Sequence, residues 1–394
     1  MTSMLTIMNK RAGGFNRDEA SNIERILSMQ DNGLNSEVLF TESIADLVSK
    51  IEDYKSHSQN GNAPDILGIG GGDGAAHIAL TNFYKIFWQM PSMIAGFPIG
   101  TIVNWVTPFD LTNGLVDQTR KDVRKTLDFV NFEYFNKLLL TKAEKMAIYI
   151  ARKYARHEQL KTSELGILDV NSLKAFNIGF GLTTKVLWIY YGGTPEGYDS
   201  LVFKADNLFN ARDKYSEIVK VPNEYFDPHV KKGFYTTLRT LKKIFANLAL
   251  PYSSFSKFFW EVADFTMKVD GQEVQIDKKY NGAIISSHES VGIGLNGIAF
   301  KPTYRARTGI PSRRFQIVMS SLKPLELLPY VPTIFLGQPI QNKGIYDEMA
   351  HTVECSFPKA SLIQIDGELY LAKGLKIEYD QTLRIINPNL ELKM

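Results

Sequence analysis

The chain is poor in the residues that build metal clusters and disulfides, with one cysteine, Cys355, and six histidines in 394 residues. A single thiol cannot close an intramolecular disulfide or supply a thiolate cluster, which favours a cytoplasmic compartment and disfavours structural zinc. No His-x-x-x-His spacing occurs, so His77 reads as a packing or surface residue of a helix rather than a metal ligand. Long apolar runs are also missing. A spanning helix needs about 18 uninterrupted apolar residues, and the best stretch, residues 78–97, is broken by Asn82, Lys85, Gln89 and Pro91. The N-terminus has neither the apolar core nor the cleavage site of a secretory signal. Any membrane is therefore expected to be met from outside, by a peripheral and reversible contact. An excess of one charge is lacking too: 45 Lys and Arg face 42 Asp and Glu, a formal balance of +3. That is too even for generic binding to nucleic acid through phosphate neutralisation, so no nucleic-acid partner is expected. Repeats and low-complexity tracts are absent. With 44% hydrophobic and 22% charged residues, the composition is that of a globular protein. Its length exceeds what one core serves, at roughly 150 residues per domain.

What is present begins with alternation. Residues 5–8 form a short apolar run that ends at Asn9, Lys10, Arg11, Ala12, Gly13 and Gly14, and residues 17–29 follow with helical spacing through Ile23, Ile26 and Leu27. A second strand is predicted over residues 37–40 and a second helix over 42–54, with Thr41 as its N-cap. A third strand, residues 65–69, opens into Gly70, Gly71, Gly72, Asp73 and Gly74, and a helix is predicted from Ala75 to Met90. A fourth strand, residues 93–97, ends at Pro98, Ile99, Gly100 and Thr101. Strands alternating with helices imply a parallel sheet whose ligand site lies beyond the carboxyl ends of the strands. Residues 117–157 read as a basic helical connector. Beyond Leu165, short β-branched and glycine-bearing runs (175–182, 282–286, 315–320, 361–365) indicate an antiparallel β domain, with an aromatic, partly helical interruption over 192–267.

Chemistry concentrates at residues 65–74. A short strand is followed by glycines that let backbone N–H groups approach an anion, then by one carboxylate, then by a helix start, which outlines a phosphate cradle. No Gly-Lys-Ser/Thr follows, so it is not a Walker loop, and the glycine spacing is not that of a dinucleotide fingerprint. A carboxylate beside bound phosphates repels them unless it holds Mg²⁺ or accepts a proton, so Asp73 points to metal-assisted phosphoryl transfer.

At these residues the sequence resembles the diacylglycerol kinase catalytic-domain family of lipid kinases, which includes sphingosine and ceramide kinases and is distantly similar to NAD kinases. The resemblance runs nearly end to end. Asn9 to Gly14 looks like the family's first nucleotide loop, with Lys10 where a proline is usual. Gly71-Gly72-Asp73-Gly74 matches the Gly-Gly-Asp-Gly signature, and His77 stands where sphingosine kinases also carry histidine. Pro98-Ile99-Gly100-Thr101 matches the Pro-x-Gly-Thr loop, Asn177 to Gly181 looks like the start of the lipid-binding β domain, and Asp366-Gly367-Glu368 matches the closing Asp-Gly-Glu. Residues 383–388 stand in place of the family's closing strand.

This resemblance implies an α/β nucleotide-binding domain over residues 1–158, to which 372–394 return, and a β-rich lipid-binding domain over 159–371 with a helical insertion near 192–267. The active site would lie in the cleft between them. The implied reaction moves the γ-phosphoryl group of ATP to a lipid hydroxyl. Backbone N–H groups of Gly71, Gly72, Gly100 and Thr101 would hold the phosphates together with Gly74, Asn9 and Arg11 would contact the nucleotide, Asp73 would be general base, and Asp73 and Glu368 would hold Mg²⁺. The departures lie in missing acids. Ala75 replaces a threonine, Ile78 a glutamate, Thr308-Gly309 an Asp-Gly, and Thr183 stands where many members have a headgroup-facing aspartate, a place Asp169 could fill instead. With Thr183 there, a neutral headgroup such as that of diacylglycerol or ceramide suits the site better than a sphingoid amine. Two other classes remain open: a degenerate lipid- or nucleotide-binding protein, and a soluble-substrate kinase like the NAD kinases. Arg305, Arg307, Arg313 and Arg314 suit either anionic lipid or a solvated strand face, and Trp188, Tyr190, Tyr191, Phe258, Phe259 and Trp260 either an acyl pocket or plain core.

Overall fold

The apolar runs of the first third become a parallel sheet. Strands β1 (Thr2–Asn9), β2 (Leu34–Thr41), β3 (Ile66–Gly70) and β4 (Met93–Phe97) alternate with helices α1 (Arg17–Leu27), α2 (Ile44–His57) and α3 (Asp73–Phe87). The spatial order is β2-β1-β3-β4, and the register sets Asn9 beside Thr41, Met8 beside Gly70, and Gly70 beside Phe97. A further helix, α4 (Lys142–Ala155), completes the element. These features come from a computed structural model that describes residues 2–12, 15–29, 33–58, 61–99, 140–209, 217–227, 236, 239–240, 242–243, 254–274, 280–287, 291–295, 298–300, 313–322, 326, 328–330, 340 and 342–388. The chain divides into two compact units, Met1–Leu165 with Leu383–Met394, and Gly166–Thr382.

In the first unit one face of the sheet packs on α1 and α4. Met4, Met8, Ile66 and Phe97 meet Ile23, Ile26 and Leu27 from α1 and Ala143, Met146, Ala147 and Ile150 from α4, all buried. Residues 142–155 of the segment expected to be a basic connector are thus core, because their apolar stripe outweighs their charges, while residues 117–139 lie outside the described residues. Its start is fixed by a capping box between Thr141 and Glu144, and the buried Glu144 accepts a hydrogen bond from Asn22 Nδ2 at 2.6 Å. The N-cap of α2 is Ser43, whose hydroxyl accepts from Asp46 N at 3.1 Å. Thr41 does not cap it; it is the last residue of β2, held by the ladder to Asn9. Helix α3 starts at Asp73, two residues ahead of the expected start, because its first turn is glycine and carboxylate and carries no apolar signal.

The second unit contains β5 (Thr162–Val170, begun in the first unit), β6 (Leu173–Ala175), β7 (Asn177–Gly181), helices α5 (Leu182–Tyr190) and α6 (Pro195–Phe209), β8 (Ile218–Lys220), α7 (Ser254–Trp260), β9 (Thr266–Val269), β10 (Gln272–Glu273), β11 (Gly282–Ser286), β12 (Val291–Leu295), β13 (Ile298–Phe300), β14 (Phe315–Ser320), β15 (Ile345–Ala350), β16 (Thr352–Ile365) and β17 (Glu368–Ile386). Its main sheet runs β15-β14-β11-β7-β16-β17 with antiparallel neighbours. Period-two alternation gives its two faces separate cores. Ile178, Phe180, Ile285, Ile317, Ile363 and Ile365 face one, whereas Leu362 and Leu371 join Trp188, Ile189, Leu201, Phe258 and Phe259 in the other. Tyr190 is buried as well, so among the described side chains these aromatics are core. The end of β17 belongs to the first unit, where Ile385 pairs in parallel with Ile94 of β4. Within the expected partly helical interruption, most of residues 233–248 lie outside the described residues.

The join between β7 and α5 turns on Gly181, at φ +68, where an added Cβ would run into the Asn281 carbonyl. An alanine there meets both the steric block and left-handed strain. Gly181→Ala is expected to destabilise the second unit by about 2–3 kcal/mol, measured as a lower denaturation midpoint; an unchanged midpoint would show that the join relaxes freely.

Candidate functional site

All strands of a parallel sheet present their carboxyl ends at one edge, and in the first unit β1, β3 and β4 stop there within one residue of register. Asn9 closes β1 with a local turn: its Oδ1 accepts from Arg11 N at 2.9 Å while its carbonyl accepts from Ala12 N at 3.1 Å. Arg11 is exposed beside it. Lys10, the departure from proline, pairs with Glu42 at 2.7 Å on the surface. Gly71 N donates to Phe97 O at 3.3 Å, tying the glycine loop to the end of β4. Gly71 takes φ +156, and a Cβ there would lie 2.5 Å from Ala75 Cβ and 3.7 Å from Asn9 Cβ. Only glycine fits, and the space it leaves lies between the loops after β1 and β3.

Helix α3 then begins with Gly72 as N-cap and no side-chain cap. The first N–H groups of such a helix point outward with the positive end of its dipole behind them. Asp73 is the first helical residue, only 6% exposed, and His77 lies one turn later at 1%. His77 is therefore interior, not on the helix surface. Asn9, Arg11, Gly71, Gly72, Asp73 and Gly74 thus gather at one edge of the first unit. Gly100 and Thr101, with Gly13 and Gly14, lie outside the described residues, as do Arg305, Arg307, Thr308 and Gly309.

In the second unit Asp366 and Gly367 form a two-residue hairpin turn, φ +47 and +82, with Ile365 opposite Glu368. Asp366 is 2% exposed, and its carboxylate accepts from Phe176 N at 2.9 Å and Asn177 N at 2.7 Å. Tyr191 donates its hydroxyl to Gly367 O at 2.6 Å; burial, then the charge of Glu368, push that hydroxyl's pKa well up, so it stays a donor. Glu368 is paired with Lys220 at 2.8 Å, which lies on β8 through the register Tyr370 to Lys220. No motif marked Lys220, and only the strand pairing could have found it.

Other expected participants are committed elsewhere. Thr183 donates to Phe180 O at 3.3 Å and lies over Gly179. Asp169 is ion-paired with the buried Lys174 at 2.9 Å, which also binds Asp380 at 2.8 Å. Arg314 donates to His351 Nε2 at 2.9 Å. Cys355 is buried, and burial pushes its thiol pKa up, away from reactive thiolate. Among the described residues no group of three or more His, Cys, Asp or Glu is arranged to hold a metal ion; the carboxylate of Asp73 is the kind of hard oxygen donor that Mg²⁺ prefers.

No family model matches the chain, and no curated protein sequence matches it. Its fold does match solved structures. A diacylglycerol kinase from Bacillus anthracis str. Sterne aligns over 99% of this chain and 97% of its own, at 11% identity and a TM-score of 0.53. Two structures from the same organism, provisionally assigned to that activity, align over 99% of this chain and 98% of theirs at 12% identity, with TM-scores of 0.55 and 0.57. At such identity the likeness shows a shared fold, a mixed α/β architecture with a large sheet.

The Asp366 contacts separate architecture from chemistry. Asp366→Ala strands two backbone N–H groups and is expected to destabilise the protein by about 3 kcal/mol. Glu368→Gln, at a partly exposed ion pair, should shift stability by less than about 1 kcal/mol. Chemical denaturation of both variants checks this, and equal losses would contradict it.

Proposed function

We propose that this chain is a kinase that transfers the γ-phosphoryl group of ATP to a lipid hydroxyl. The observation that carries the reading is the uncapped start of α3 after Gly71 and Gly72, with Asp73 in its first turn, at the carboxyl edge of a parallel sheet. That the fold is shared along nearly the whole chain with diacylglycerol kinase structures supports it.

Phosphoryl transfer needs positioning and charge neutralisation more than covalent help. The N–H group of Gly72 suits the phosphates because no Cβ keeps them away, while that of Gly71 is already bonded to Phe97 O and ties the loop in place; those of Gly100 and Thr101 join Gly72 in the family pattern. Asn9 and Arg11 flank the same edge and contact the nucleotide. Mg²⁺, when bound, supplies charge neutralisation between the phosphate oxygens. Asp73 accepts the proton of the attacking hydroxyl or holds that cation; a buried carboxylate beside phosphates requires one of the two. Glu368 is the second carboxylate of this reading, with Lys220 as its counter-charge. The neutral Thr183 in place of an acid favours an uncharged acceptor, of the diacylglycerol or ceramide kind. Contact with the bilayer is peripheral: among the described residues no helix is long and apolar enough to cross a membrane.

Purified protein, radiolabelled ATP and a panel of diacylglycerol, ceramide, sphingosine and NAD test the reading. Label is expected in diacylglycerol or ceramide ahead of sphingosine, and none in NAD. Asp73→Asn should lower transfer about 100-fold or more with the fold retained by circular dichroism. Nucleotide binding without transfer to any acceptor would leave the degenerate binding protein, and an Asp73→Asn variant within a few-fold of wild type would remove Asp73 from the mechanism.

A further inference from the structure

The sheet of the second unit carries a polar row that neither of its cores uses. Asn177, Ser286 and Gln316 stand opposite one another on the adjacent strands β7, β11 and β14, so the pleat puts all three on one face. It is the face away from Ile178, Ile285 and Ile317, which enter the core on the other side. The row starts at the Asp-Gly-Glu turn, where Asp366 N donates to Asn177 O at 2.9 Å. Ser286 donates its hydroxyl to Asn177 Oδ1, and Gln316 Nε2 donates to Asp347 Oδ1 at 2.6 Å. Asn177, Ser286 and Gln316 are 3%, 2% and 1% exposed.

One hydrogen-bonding capacity in this row is left over. Gln316 Oε1 is buried and has no partner among the described residues. A buried carbonyl without a donor is costly, and native folds keep few of them. The amide cannot cure this by flipping, because Asp347 requires its NH₂ end and a flip would set oxygen against carboxylate. What Oε1 lacks is a donor, and none of the described residues supplies it.

We propose that the row is a hydroxyl-binding subsite, in which an uncharged O–H of the acceptor molecule, other than the one that is phosphorylated, donates to Gln316 Oε1. Gly179, two residues along β7 from Asn177 on the same face, is buried under Thr183, so the row continues without a charge. The identity of the ligand as a lipid alcohol rests on the kinase reading, whereas the acceptor atom does not.

The test uses the full chain without nucleotide and two probes, a short-chain ceramide and the analogue whose secondary hydroxyl is replaced by hydrogen, both keeping the primary hydroxyl. Titration calorimetry is expected to show wild type binding the hydroxyl form about tenfold more tightly or better, the scale set by one buried polar group left unmatched. Gln316→Leu should remove most of that preference by weakening the hydroxyl form alone. If leucine does not fit, Gln316→Met, unbranched and of similar volume, serves instead. A wild type without preference overturns the subsite, and so does a variant that keeps the preference. Lipid phosphorylation with no hydroxyl preference in binding would sink the subsite and leave the kinase. Hydroxyl preference lost in the variant, with no phosphorylation of any lipid, would uphold the subsite and sink the kinase.

Discussion

The first unit depends on a backbone approach that only glycine permits. At Gly71 the chain leaves β3 at φ +156 with Ala75 where a side chain would be, and it enters α3 at once. This abrupt change fixes three things together. The amide of Gly71 is bonded to the Phe97 carbonyl at the end of β4, the helix start has no side-chain cap of its own, and Asp73 falls in the first turn, where it is largely buried. A side chain at Gly71 would push the helix back and dissolve the arrangement. The neighbouring loops follow from the same register, since Met8, Gly70 and Phe97 are adjacent in the ladder.

The second unit has its own organising bond set at Asp366. Its carboxylate holds the amides of Phe176 and Asn177, fastening the β16–β17 turn to the start of β7. Gly367 and Glu368 are thereby held in place, Tyr191 closes on the Gly367 carbonyl, and the row of Asn177, Ser286 and Gln316 is drawn out across the sheet. The signature Asp-Gly-Glu thus divides its work: the first acid builds the turn, and the second is presented with Lys220 beside it.

Much of this is legible in the sequence where the signal is local. Strands over residues 93–97, 282–286 and 315–320 match their apolar runs to the residue, because glycine, proline or charge bounds each run. Helix ends are less legible. Ser43 and Thr41 are both good caps, and only the ladder to Asn9 shows that Thr41 is spent on a strand. The role of residues 142–155 is hidden because Lys142, Lys145, Arg152 and Lys153 give the segment a basic look while Met146, Ala147 and Ile150 do the packing. Contacts across strands, such as Lys220 with Glu368 or Gln316 with Asp347, leave no trace in spacing, because register is decided by tertiary pairing. At the candidate site the glycines and Asp73 are readable; the commitments of Asp169 to Lys174 and of Arg314 to His351 are not.

The central claim is that the loop from Gly70 into α3 is a phosphate cradle. Amide hydrogen exchange of the whole chain, with and without ATP and Mg²⁺, tests it most directly. Slowed exchange over residues 70–76 and 9–12 on nucleotide addition is the predicted result, with the strands of the second unit's main sheet little changed. Nucleotide binding that leaves residues 70–76 unprotected would contradict the account.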